Sequence, residues 1–68
     1  MKIFQDRLRE ERKAFGLTQR DMADKLGITQ PSYIRYESGT SEPSLSRLVQ
    51  IAEILDISVD YLLGRKDY

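Results

Sequence analysis

The sequence predicts an all-α fold of five short helices. Three observations favour this class. Apolar residues recur every three or four positions, as in amphipathic helices, and no segment shows the pattern of a strand. Hydroxyl side chains stand before most of these segments and glycines follow them, which is typical of helix starts and ends. The chain has only 68 residues. That length suits a single small core, so residues 1–68 are expected to form one compact domain.

Composition excludes several kinds of chemistry. The chain has no cysteine and no histidine, so disulfides, thiolate or imidazole zinc sites and histidine-based triads are ruled out. Carboxylates are plentiful but form no obvious inward pair. We therefore expect no enzyme, no cofactor and no metal site. No apolar run reaches the roughly 20 residues that span a bilayer, which predicts a soluble, cytoplasmic protein without a membrane partner.

The net charge also restricts the possible functions. Eleven basic and eleven acidic residues cancel, giving a formal net charge of zero. General polyanion binders are usually basic, so this balance argues against that class. Any affinity for nucleic acid would have to depend on where the charges lie.

The first two segments show clear helix signals. Phe4, Leu8 and Phe15 recur at helical spacing in the first, and Gly16 ends it. The second begins with a capping box formed by Thr18 and Asp21. Its predicted inner face is Met22, Ala23 and Leu26. It ends at Gly27, which can adopt a left-handed conformation without strain.

The third segment begins at Thr29 and carries Pro31 in its first turn, where a missing N–H is harmless. Tyr33 and Tyr36 share one face, and we expect both rings in the core with their hydroxyls in water. Gly39 ends the segment.

Two further helices complete the prediction. Ser44 caps the fourth, whose apolar stripe consists of Leu45, Leu48, Ile51, Ala52 and Leu55. The chain turns at Asp56. Ser58 caps a short last helix with Val59, Leu62 and Leu63, and Gly64 ends it.

The second and third segments together resemble a functional motif. Two helices joined by a tight turn containing glycine form a helix-turn-helix, which lays its second helix in the major groove of DNA. That groove is about 12 Å wide and accepts one helix. The helix at about residues 29–38 would read the bases. Its outward-facing residues are Thr29, Gln30, Pro31, Ser32, Ile34 and Arg35.

Two of these side chains suit hydrogen-bonded base reading. Gln30 can bond adenine in bidentate fashion and Arg35 can do the same to guanine, each discriminating by roughly 1–3 kcal/mol. Pro31 and Ile34 are unusual on an exposed face and could contact thymine methyl groups. For Ile34, packing against a neighbouring side chain is an open alternative.

Nearly the whole chain resembles a known family. The stretch "GLTQRDMADKLGITQPSYIRYESG" is similar to the helix-turn-helix of the Cro and phage-repressor (XRE-like) regulators, and the flanking "RLREER" and "PSLSRLVQIAEILDISVDYLL" also match. Tyr33 departs from the pattern, since the family more often has Val or Ile there. The resemblance implies a five-helix, lambda-repressor-like DNA-binding domain. It also implies a sequence-specific regulator of transcription, with repression expected rather than activation.

The resemblance implies further residue roles. Gln19 would contact a phosphate and brace Gln30. Arg12 and Glu37 occupy positions that in some relatives form a largely buried ion pair. The expected phosphate contacts are Thr18, Gln19, Arg20, Ser38, Thr40 and Ser44.

One such module contacts half a site, so we expect a homodimer on a two-fold symmetric double-stranded DNA operator, with recognition helices about 34 Å apart. The expected dimer surface consists of Ile54, Tyr61, Leu62 and Leu63. A protein antagonist is a further expected partner. The alternative is a protein-interaction module or antitoxin-type domain that has this fold but binds DNA weakly.

Overall fold

The computed structural model describes all 68 residues and contains five helices and no strand, which confirms the all-α prediction. The helices are α1 (Lys2–Ala14), α2 (Gln19–Leu26), α3 (Gln30–Ser38), α4 (Leu45–Leu55) and α5 (Val59–Leu62). α3 packs against both α1 and α2, while α5 packs against α1 and α4. No helix is both long and apolar enough to cross a membrane.

The predicted helix caps are confirmed. At the start of α2 the Thr18 hydroxyl accepts the Asp21 N–H at 3.0 Å, and the Asp21 carboxylate accepts the Thr18 N–H at 2.9 Å. This reciprocal pair satisfies two backbone donors that have no partner within the helix. Thr29, Ser44 and Ser58 each accept one backbone N–H in the same way at the starts of α3, α4 and α5.

Every helix contributes to one central core. Its fully buried side chains include one from each helix, in chain order Leu8, Met22, Tyr33, Ile51 and Leu62. Burying an aliphatic side chain of this size stabilises the fold by about 1.5–3 kcal/mol. The core therefore ties all five helices together.

Two members of the predicted apolar stripes lie outside the core. Phe15 is 53% exposed because it caps the end of α1, beyond Arg12, which is the last buried residue of that helix. Leu45 is 83% exposed because it is the first residue of α4, and its side chain does not follow the buried stripe. The rest of that stripe, from Leu48 to Leu55, is buried as predicted.

The turn between α2 and α3 depends on Gly27. Its φ of 70° lies in the left-handed region that favours glycine. The next residue, Ile28, donates its N–H to the carbonyl of Ala23 at 3.0 Å, which closes the end of α2. Only Ile28 and the cap Thr29 then separate Gly27 from α3. Residues 19–38 therefore form the predicted helix-turn-helix.

Candidate nucleic-acid interface

The outer face of α3 carries the six residues predicted to read bases. Five of them are exposed, and Ser32 is half-buried. Neither the Gln30 amide nor the Arg35 guanidinium makes a hydrogen bond or an ion pair within the protein. Both side chains are free to bond an external partner.

The hydroxyls at the start of α3 already have partners. The Thr29 hydroxyl donates to the Ser32 hydroxyl at 2.9 Å and accepts the Ser32 N–H at 3.2 Å. Thr29 and Ser32 thus order the first turn of α3. Pro31 lies in that turn, and Ile34 is 37% exposed one turn later. Both apolar groups are accessible to a ligand.

Residues predicted to contact phosphate lie at three chain turns. Thr18, Gln19 and Arg20 form the start of α2, where unpaired backbone N–H groups favour an anion. Ser38 and Thr40 flank Gly39, and their hydroxyls are 3.0 Å apart. Ser44 caps α4. All but the half-buried Gln19 are exposed, so the structure leaves them accessible.

Behind this surface lies a buried polar group that we call the Glu37 cluster, which consists of Arg12, Gln19, Tyr33 and Glu37. Arg12 and Glu37 form an ion pair in which the Arg12 Nε–H donates to Glu37 Oε2 at 2.6 Å. A second Arg12 nitrogen donates to Glu37 Oε1 at 3.2 Å. Only 7% of Arg12 and 5% of Glu37 are exposed. The pair therefore lies inside the protein.

Two more donors complete the Glu37 cluster. The Gln19 side-chain amide donates to Glu37 Oε1 at 3.2 Å, and the Tyr33 hydroxyl donates a hydrogen bond to Glu37 Oε2. No buried side-chain polar atom in the protein lacks a partner. The Glu37 carboxylate consequently joins α1, α2 and α3.

The Glu37 cluster changes the acidity of its members. Burial by itself would raise the pKa of Glu37, but the hydrogen bonds from Arg12, Tyr33 and Gln19 together lower that pKa below its usual value. Burial, reinforced by the neighbouring Glu37 carboxylate, raises the pKa of Tyr33 far above its usual value. Glu37 is therefore ionised and Tyr33 neutral at physiological pH.

The Glu37 cluster bears on two predictions, of which the one about Tyr33 is wrong. One N–H of the Gln19 amide bonds Glu37, and its second N–H and its carbonyl oxygen stay available, so the bracing of Gln30 by Gln19 stays a prediction. The Tyr33 hydroxyl is not in water, because the ring is fully buried and the hydroxyl bonds Glu37. Sequence reasoning missed this bond. The i, i+4 spacing of Tyr33 and Glu37 on one helix face was the available signal.

The predicted dimer surface needs one correction. Leu62 is fully buried in the core, so it cannot form part of an accessible surface. Ile54, Tyr61 and Leu63 are half-buried. The Tyr61 ring is further covered by the Arg7 guanidinium, which lies 4.2 Å from the ring centroid.

Comparison with known proteins finds relatives that agree with the helix-turn-helix seen in the structure. Residues 8–62 match a protein-family model described as helix-turn-helix. The uncharacterised HTH-type transcriptional regulator YqaE of Bacillus subtilis is 52% identical over 61 residues, which cover 90% of this chain and 53% of YqaE. The cryptic phage CTXphi transcriptional repressor RstR of Vibrio cholerae is 51% identical over 65 residues, covering 96% of this chain and 57% of RstR. The chain thus spans about half the length of the curated relatives it matches.

Proposed function

The chain belongs to the helix-turn-helix family, and we propose that it is a sequence-specific, double-stranded DNA-binding regulator of transcription that acts as a repressor in the cytoplasm. The observation that carries this proposal is the outer face of α3. There Gln30 and Arg35 are exposed and lack partners within the protein, on the second helix of a helix-turn-helix.

Base reading in this proposal is divided between polar and apolar groups. Gln30 bonds the exposed edge of an adenine and Arg35 that of a guanine, while Pro31 and Ile34 contact thymine methyl groups. Thr29 and Ser32 shape the first turn and offer their remaining hydroxyl capacity to base edges. Phosphates are held by the residues at the three chain turns described above.

The distribution of charge supports DNA binding by a protein with no net charge. The helix-turn-helix carries three exposed basic residues, Arg20, Lys25 and Arg35. Two exposed carboxylates, Asp21 and Asp24, lie on α2, whereas Arg35 is the only exposed charged residue of α3. A further group of carboxylates lines a groove of about 810 Å³ to which neither α2 nor α3 contributes. Four acidic side chains and no basic ones line that groove: Glu11, Glu53, Asp56 and Asp67. The exposed face of α3 is therefore free of carboxylates, and a local positive charge of this kind can attract a polyanion.

Selection from a randomised duplex pool at low salt, followed by sequencing, tests the proposal. We expect an enriched, two-fold symmetric motif. Gln30→Ala and Arg35→Ala should each relax preference at defined positions by roughly 1–3 kcal/mol. Arg65→Ala is the matched control, because Arg65 is an exposed arginine outside the helix-turn-helix. No enrichment by folded wild-type protein would overturn sequence-specific recognition.

A protein-interaction or antitoxin-type module is the second candidate, favoured by the zero net charge and the exposed apolar Pro31 and Ile34. The dependence of binding affinity on salt concentration distinguishes the two candidate functions. Phosphate contacts make the logarithm of the binding constant fall linearly with the logarithm of salt concentration. Arg20→Gln should reduce that slope by about 1, whereas Arg65→Gln should not. A salt-independent affinity for protein partners alone would favour the second candidate.

A further inference from the structure

Tyr33 carries a hydroxyl that the core does not need for packing. Its ring is fully buried, and a phenylalanine ring would fill nearly the same space. A buried hydroxyl is unfavourable unless it finds a partner, and here that partner is the Glu37 carboxylate. The hydroxyl therefore contributes through its hydrogen bond.

The Glu37 carboxylate has no spare bonding capacity. It accepts two bonds from Arg12, one from Gln19 and one from Tyr33, and an ionised carboxylate offers about four acceptor positions. Every side-chain hydrogen bond that joins α3 to α1 or α2 ends on this group. The rotation of the Glu37 carboxylate thus affects how α3 is held against both neighbours.

We propose that Tyr33 is a positioning residue for DNA recognition, whose hydroxyl fixes the Glu37 carboxylate and through it the placement of α3 against Arg12 of α1 and Gln19 of α2. The inference rests on the proposed function for its consequence at DNA. Tyr33 contacts no base. It acts by keeping Gln30 and Arg35 at one angle to the phosphate contacts at the start of α2.

The chain offers a matched control one turn along the same helix. Tyr36 packs edge-on against Tyr33, with ring centroids 6.2 Å apart and an angle of 82° between the rings. Its hydroxyl makes no hydrogen bond within the protein. Tyr36→Phe therefore removes the same kind of atom as Tyr33→Phe but no hydrogen bond of the Glu37 cluster.

The test compares Tyr33→Phe with Tyr36→Phe at a temperature where circular dichroism shows both fully folded. Dissociation constants are measured for the selected duplex and for an unrelated duplex of the same length. We expect Tyr33→Phe to weaken binding to the selected duplex by about fivefold or more, the lower end of typical coupling between sites. Its affinity for the unrelated duplex, and both affinities of Tyr36→Phe, should change less than about twofold. A purely structural role would lower both affinities together or neither, and either result overturns the proposal.

Nuclear magnetic resonance gives a readout that needs no DNA. In Tyr33→Phe the Gln19 side-chain amide and the Arg12 Nε–H signals should shift, and residual dipolar couplings should report a changed angle between α2 and α3. Unchanged signals and couplings overturn the inference. If the wild-type protein selects no duplex, the proposed function fails, and these measurements still decide whether Tyr33 positions α3.

Discussion

At the scale of single residues, Glu37 has the largest structural consequence. It lies on the helix proposed to read DNA, yet its side chain is directed inwards to Arg12, Gln19 and Tyr33. Breaking a buried ion pair by removing one partner leaves an uncompensated charge. The same helix thus combines exposed residues with no partner and one residue on which three helices depend.

Glu37→Gln tests this dependence. We expect the free energy of unfolding to fall by about 3–5 kcal/mol, because the buried Arg12 guanidinium loses its counter-ion. Urea unfolding followed by circular dichroism measures the change. Glu42→Gln is the control: Glu42 is exposed and pairs only with the chain amino group, so less than about 0.5 kcal/mol should be lost. Equal stability of the two variants would contradict a structural role for the Glu37 cluster.

The lowered pKa of Glu37 predicts sensitivity to acid. A carboxyl whose pKa is lower in the folded than in the unfolded state stabilises the fold above the unfolded pKa and loses this effect as pH falls through the folded pKa. Stability should therefore decrease as pH drops below the reference value of 4.5. Carbon-13 titration of the Glu37 carboxyl should give a midpoint below that value. A midpoint above it would mean that burial outweighs the hydrogen bonds.

At the scale of elements, the sequence predicted the helices and their caps well because those signals are local. Thr18 and Asp21 satisfy each other three residues apart, and Gly27 ends a helix by its own backbone conformation. Whether Phe15 or Leu45 is buried could not be predicted in this way, because exposure at a helix end depends on where other helices lie. The hydrogen bond from Gln19 to Glu37 was missed for the same reason, since Glu37 is 18 residues away.

Substitutions at two helix ends should change the stability of the protein in opposite directions. At Gly27, φ is +70° and an added Cβ would meet no atom within 4 Å, so Gly27→Ala should cost only the backbone strain of about 1–2 kcal/mol. Asp56 holds a similar conformation, with φ 54°, at the end of α4. Asp56→Gly should therefore relieve strain and raise stability by up to about 1 kcal/mol. Thermal or urea unfolding measures both, and a stabilised Gly27→Ala would contradict this account.

At the scale of the whole molecule, the sequence could predict which residues of α3 are exposed. It could not predict which residues of α5 are accessible for dimerisation. The sequence placed Gln30 and Arg35 on one helix, and the structure leaves both free. It could not distinguish Leu62 from Leu63, because a four-residue helix has too few turns to show which side faces the core. Leu62 proves to be buried and Leu63 half-buried.

Because Leu62 is buried and Leu63 is not, substitutions at Leu62 should mainly affect folding stability and substitutions at Leu63 mainly association. Leu62→Ala should lower the free energy of unfolding by about 2–5 kcal/mol, because it empties part of the core. Leu63→Glu should cost less stability, and on the proposed dimer surface it should weaken cooperative binding to a two-fold symmetric duplex. Urea unfolding and sedimentation with DNA measure the two effects. Unchanged cooperativity in a folded Leu63→Glu variant would remove Leu63 from that surface.

The freedom of Gln30 and Arg35 from any partner inside the protein also bears on how such a protein can evolve. Neither side chain supports the core, a cap or an ion pair, so most replacements there should leave stability nearly unchanged. A lineage could then exchange its target sequence by a few substitutions on α3 while retaining the scaffold. Divergence should accumulate fastest at these positions and slowest at Glu37, whose replacement would disturb three helices at once.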